Sequence, residues 1–157
     1  MAPPRPCDRT DADLLRALIA NPRETTVGLA EHTGVARNTV HARLNRWDDV
    51  GALRGFDRRV DTAFLGYPMR AYVFTRVEQR KLDAVAAALA GIVEVLSVEG
   101  LSGDDDLLVH VVARDADDMY RVAGQILDVD GVVRTRTSLV MRELVEYRTA
   151  QLLEPPQ

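Results

Sequence analysis

The chain is poor in several residue types: one cysteine, one tryptophan, one lysine and three histidines in 157 residues. Cys7 stands alone, so an internal disulfide or a cysteine-based zinc site is excluded, which fits a reducing cytosol and a cytoplasmic protein. His32, His41 and His110 are scattered without HxxH or HExxH spacing, and no metal site or other cofactor is expected. No apolar run approaches the ~20 residues of a membrane span. The opening MAPPRPCDRT lacks the apolar core of a secretory signal. An overall basic balance is missing too, since the net charge is −4. That charge is unevenly divided. Up to Tyr67 ten arginines meet nine acids, whereas from Pro68 onward ten basic residues meet fifteen acids. Within Ala36 to Trp47, three arginines and a histidine meet no acid at all. Local field rather than whole-chain charge steers a protein to phosphate.

What is present is organised around Thr25 to Phe56. Val27, Leu29 and Ala30 fall on one face of a short helix, and Val40, Leu44 and Trp47 on one face of a second. Gly34 lies between them, where a tight turn calls for a positive φ that glycine adopts at little cost. Ala30, Gly34 and Val40 carry the small, Gly, β-branched spacing of a helix-turn-helix, whose small residue lets the helices approach closely. A second helix that buries Val40, Leu44 and Trp47 exposes Arg37, Asn38, Thr39, His41, Asn45 and Arg46, with Arg43 completing the basic run. Such a face suits both phosphates and base edges. The plainer alternative is an ordinary αα-hairpin with a solvated polar face.

In chain order, residues 1–9 are a Pro-rich tail expected to be disordered. The first helix starts at Thr10, with Thr10 and Asp13 at capping-box spacing, and buries Leu14, Leu15, Leu18 and Ile19 before Asn21-Pro22 stops it. Thr25 caps the second helix. Ala36 stands where the third wants a capping hydroxyl, an omission worth about 1 kcal/mol. Leu53 to Val60 forms a short strand or hairpin in a 56–68 linker. Its Arg54, Arg58 and Arg59 either contact a DNA backbone or are merely solvated. The domain over 10–55 is thus a winged-type helix-turn-helix.

Beyond Pro68 strands and helices alternate. Met69 to Val77 is β-rich, Lys81 to Ala90 is a helix, Val93 to Leu101 and Asp106 to Ala113 are strands joined by Gly103-Asp104-Asp105, Asp115 caps a helix ending at Asp130-Gly131, and Val132 to Val140 is the last strand. Right-handed crossovers turn β-α-β-β-α-β into a ferredoxin-like sandwich over 69–148, followed by a 149–157 tail. The class is α+β. Both helices cover one sheet face, so the open face calls for dimerisation.

These residues resemble the Lrp/AsnC (feast/famine) family of transcription regulators, from about Asp8 to Arg148. Gly51-Ala52-Leu53-Arg54-Gly55-Phe56 resembles its G-x-I-x-G-Y, Ser102 to Leu108 its S-G-D-x-D-Y-L-L, and Gly131-Val132 with Thr135-Arg136-Thr137 its G-V-x-x-T-x-T. The chain departs from the pattern at Ala36 (usually Ser), Trp47 (usually Leu) and Leu107 (frequently Tyr). The resemblance implies double-stranded DNA as partner and homodimers that assemble into octamers or other higher homo-oligomers. It also implies a small effector, typically an amino acid, bound between dimers near the G-D-x-D turn. Ser102, Gly103, Asp104, Asp106, Thr135, Thr137 and Ser138 are the candidate effector residues. A plain β-turn with a self-capping Asp is the alternative there. Sequences similar to this family also include decarboxylases acting on a tetrapyrrole. His110 is, however, the only histidine in the second domain, and no nucleophile–base pair is visible. A ligand sensor without DNA binding is the third reading, and the arginine-bearing helix argues against it.

Overall fold

The computed structural model describes residues 7–55 and 60–153. The chain falls into two compact units, residues 1–58 with 145–157 and residues 59–144. The second unit therefore closes at Leu144, earlier than the expected 148. The segment beyond it returns to the helical unit, where a 3-10 turn, Ala150–Leu153, meets the first helix and Arg16 Nη2 donates to the Leu153 carbonyl at 2.6 Å.

The helical unit is built from α1 (Arg9–Ala20), α2 (Thr26–Thr33) and α3 (Arg37–Asp49). The cap of α1 is Asp8, not Thr10 as the spacing suggested. Asp8 Oδ1 accepts from the Asp11 amide at 2.8 Å and Asp11 Oδ2 from the Asp8 amide at 3.2 Å. A carboxylate is favoured over a hydroxyl at this end because it also meets the positive pole of the helix. Thr25 caps α2 through Oγ1, which accepts from Gly28 at 3.0 Å. Gly34 ends α2 at φ 69°, the left-handed conformation that the turn demands. Leu14, Leu29, Val40 and Trp47 form the buried centre, with Leu15, Leu18 and Leu44 packed at its margin. Two expected core residues lie outside it. Ile19 and Val27 are both largely exposed, because three short helices enclose a narrower stripe than the periodicity allows. The strand expected from Leu53 is not seen over Leu53–Gly55, and the rest of that expectation, with Arg58 and Arg59, falls on residues 56–59, outside the described residues.

The second unit follows the expected order: β1 (Met69–Val77), α4 (Leu82–Ala90), β2 (Val95–Gly100), β3 (Leu107–Ala113), α5 (Ala116–Leu127) and β4 (Val132–Leu139). The sheet runs β2-β3-β1-β4 with every pairing antiparallel. Period-two alternation sends Ala71, Val73, Thr75 and Val77 toward the helices, where Val109, Val111, Val85, Leu89, Met119, Val122 and Ile126 complete the core. The opposite face carries Tyr72 and Phe74 of β1 beside His110 and Leu108 of β3, and Ser138 and Arg136 of β4. Within this unit, α4 and α5 both pack on the first face, and no described helix of the unit covers the opposite one. α5 ends at Leu127, short of Asp130-Gly131, and a turn through Val129 carries the chain into β4.

The N-terminus of α5 is pinned by a carboxylate hub. Asp118 accepts from the Arg114 amide at 3.0 Å, from the Arg114 guanidinium at 3.1 Å and from Arg121 Nη2 at 2.7 Å. Arg121 also pairs with the buried Glu94. The Arg114 hydrogen bonds, with help from Arg121, hold the Asp118 carboxyl well below the ordinary carboxylate range. A depressed folded pKa contributes stability above the unfolded value, and that contribution is lost as pH falls through the folded one. Asp118→Asn therefore melts below wild type at pH 7. The gap closes progressively as pH drops below ~4, the ordinary carboxylate value. Paired thermal melts from pH 7 to pH 2 check this, and a gap independent of pH would contradict it.

Candidate functional site

Two groups of side chains stand out, one in each unit. In the helical unit the outer face of α3 carries Arg37, Asn38, Thr39, His41 and Asn45, all exposed. Asn45 Nδ2 lies 3.4 Å from His41 Nε2, one helical turn away. Arg37, Asn38 and His41 line, with Thr26 of α2, an open cleft of about 500 Å³. The cap residue of α3 is Ala36, which makes no side-chain capping bond. The Thr39 amide donates to the Ala36 carbonyl at 2.8 Å, and among the described residues no side-chain acceptor meets the Arg37 and Asn38 amides. Arg54 is exposed in the irregular segment after α3.

Arg43 and Arg46 do not join this face, which corrects the expectation that Arg46 is exposed with Arg37. Both turn back toward α1. Arg43 Nη1 donates to Asp8 Oδ2 at 2.6 Å and to Asp11 Oδ1 at 2.7 Å, and Arg46 Nη2 donates to Asp11 Oδ2 at 2.8 Å. The bonds from Asp8 and then Asp11 raise the Arg43 pKa above its ordinary value, so it is charged at any working pH. The cause is geometric: positions 43 and 46, three apart, share the face of α3 that borders the buried Val40 and Trp47.

In the sheet unit the β2–β3 turn presents Ser102, Gly103 and Asp104 to solvent, and Gly103 has φ 136°, a conformation other residues rarely adopt. Asp106 is occupied differently. Its oxygens accept from the Val77 amide at 2.8 Å and from Gln79 Nε2 at 2.7 Å, tying the turn to the end of β1. Asp105, which sequence reasoning passed over, reaches across to β4, where Arg134 and Arg136 approach it at 3.3 and 3.2 Å. The Arg136 guanidinium also lies 4.3 Å from the centre of the Phe74 ring. The three candidate hydroxyls of β4 do not converge. Thr135 and Thr137 pair with Thr75 and Val73 on the helix side, whereas Ser138 pairs with Tyr72 on the open side. Strand alternation alone separates them. On that open side the His110 ring stacks on Tyr72 at 4.8 Å. Burial, then the Arg70 charge, pushes the His110 pKa below its ordinary value. It is a sheet-face histidine without a catalytic partner among the described residues. No group of His, Cys, Asp or Glu among the described residues could hold a metal ion, and none of their helices is long and apolar enough to cross a membrane.

A helix-turn-helix unit with an exposed polar and basic helix, joined to an antiparallel βαββαβ sandwich, is the architecture of a DNA-binding transcription regulator with a second, ligand-binding domain. Residues 8–46 match the AsnC-type helix-turn-helix domain and residues 70–150 match the Lrp/AsnC ligand binding domain. The HTH-type transcriptional regulator AldR of Mycolicibacterium smegmatis is 32% identical over 144 residues, spanning 89% of this chain and 84% of AldR. The chain belongs to the Lrp/AsnC family of DNA-binding transcription regulators. Among solved structures, Escherichia coli AsnC shares the fold with a TM-score of 0.81 at 23% identity, over 93% of this chain and 99% of AsnC. The feast or famine regulatory protein of Mycobacterium tuberculosis, solved in complex with L-methionine, aligns with a TM-score of 0.80 at 25% identity. That alignment covers 92% of this chain and 98% of the other.

Proposed function

We propose that α3 is the recognition helix, entering the major groove of double-stranded DNA with Arg37, Asn38, Thr39, His41 and Asn45 toward base edges and phosphates. The observation that carries this reading is the pairing of an outer face without acids from Arg37 to Trp47 with an N-terminus that the cap residue Ala36 does not cap. Free helix amides next to Arg37 form an anion site suited to a backbone phosphate, which fixes the register of the helix. The side-chain amides of Asn38 and Asn45 suit adenine edges, and the Arg37 guanidinium suits a guanine edge or the adjoining phosphate. Arg54 steadies the flanking backbone. Arg43 and Arg46 contribute by holding α3 on α1.

The ligand of the second domain is an amino acid, and Ser102, Gly103 and Asp104 of the β2–β3 turn receive it. A glycine with positive φ leaves backbone amides open to a carboxylate, and Asp104 is available for an α-ammonium. Asp106 and Asp105 brace the turn; of the β4 hydroxyls Thr135 is nearest to it in register, with Thr137 and Ser138 further along the strand. A relative of the same fold was solved with L-methionine, which supports this class of ligand. Apolar residues on the open sheet face, Tyr72, Phe74 and Leu108, are covered by a second copy. Dimers of this kind present two recognition helices to half-sites about one helical turn, ~34 Å, apart. Higher assembly from dimers, in the cytoplasm, completes the reading. Ligand control then requires only that the amino acid bind one assembly state better than another.

A thermal-shift scan of the full chain against the common amino acids tests the ligand. At least one raises the melting temperature in a concentration-dependent way, as binding to the native state requires. Asp104→Ala removes that shift while leaving DNA affinity in the absence of ligand unchanged. A full scan without any shift would contradict the amino-acid reading.

A further inference from the structure

Asp11 has more partners than its place in α1 requires. Completing a capping box takes one side-chain acceptor, and Glu or Gln reaches the cap amide more easily than Asp. Asp11 instead lies 1% exposed against α3, with Oδ1 on Arg43 and Oδ2 on Arg46. Asp8 supplies a second carboxylate to Arg43. Two of the three arginines of α3 are thereby neutralised within the fold. Their side chains are still 22% and 33% exposed, so a guanidinium released from Asp11 has a direct path to solvent. Of the arginines of α3, Arg37 alone remains on the outer face, among amides, a hydroxyl and an imidazole.

That division matters because cations on phosphates give affinity without sequence information, while contacts to base edges discriminate. We propose that Asp11 is a specificity-determining residue: it withholds Arg43 and Arg46 from DNA phosphates and so keeps sequence-independent binding weak relative to operator binding. The inference rests on α3 being the recognition helix. Asp11 touches no DNA itself; it acts through the two arginines.

The test uses the full chain and two fluorescent duplexes, one selected from a randomised pool and one scrambled from it, titrated by anisotropy between low and moderate salt. Each phosphate contact adds about 0.9 to the slope of log affinity against log salt. Asp11→Asn steepens the wild-type slope by ~1 per protomer, the contribution of the released Arg46, since Asp8 still holds Arg43. It also binds the scrambled duplex ~10-fold more tightly at low salt, and the preference for the selected duplex falls by a similar factor. The neutral triple variant Asp11→Asn/Arg43→Gln/Arg46→Gln keeps the wild-type slope and preference, because the arginines it removes were not on phosphates. Should Asp11→Asn alone fail to fold, the triple variant decides. An unchanged slope and preference in Asp11→Asn, or a slope reduced by ~1 to 2 in the triple variant, would overturn the proposal. Wild type binding neither duplex would overturn the recognition-helix reading itself, a result readily told apart from the other two.

Discussion

Alanine at both Arg37 and Asn38 lowers affinity for the selected duplex by ~10²- to 10³-fold, since each good base-edge or register-setting contact is worth about 1–3 kcal/mol. Affinity for the scrambled duplex falls much less, because only one cation per protomer is removed, and the salt slope flattens by about one unit per protomer. The variant keeps its fold: both side chains are exposed, and the buried centre at Leu14, Leu29, Val40 and Trp47 is untouched. Competition anisotropy on the two duplexes checks the result. Equal losses on both would mean that Arg37 and Asn38 supply general attraction and no sequence reading.

A carboxylate placed at Tyr72 has the second large effect. Tyr72 lies in the middle of the open sheet face, stacked on His110 and 38% exposed in the isolated chain. There the fold tolerates an aspartate, which can remain hydrated. Buried against a second copy, the same aspartate lacks a partner, at a cost of about 3–5 kcal/mol. Tyr72→Asp therefore weakens self-association by at least ~10²-fold, read as a shift from dimer to monomer in sedimentation at micromolar protein. DNA affinity drops with it, because a monomer offers one recognition helix where a dimer offers two. An unchanged mass would place the dimer contact elsewhere.

Much of the fold was readable from local pattern. Met69 to Val77 alternates so regularly that the strand bounds follow from the sequence, and Gly34 and Asp115 mark a turn and a cap whose chemistry is confined to a few residues. The failures share a cause. Arg46 and Thr39 look alike on a helical wheel, and only the approach of Asp11, 35 positions away, turns one inward and leaves the other outside. Asp105 and Asp104 look alike in a run of acids, and only the sheet order, which sets the turn opposite β4, selects Asp105 for Arg134 and Arg136. A clue to Ser138 was in plain sight: a neighbour of Thr137 on a strand must face the other side. For the pairing of Asp11 with Arg43 and Arg46, the available signal was Asp11 in the place where Glu or Gln completes a capping box.

The most direct measurement is wild-type anisotropy on the selected and scrambled duplexes across a salt series. A sequence-reading α3 predicts tighter binding to the selected duplex by ~10³-fold or more, together with a steep fall in affinity as salt rises. Equal affinity for the two duplexes, or no binding even at low salt, would contradict the assignment of α3 as the recognition helix.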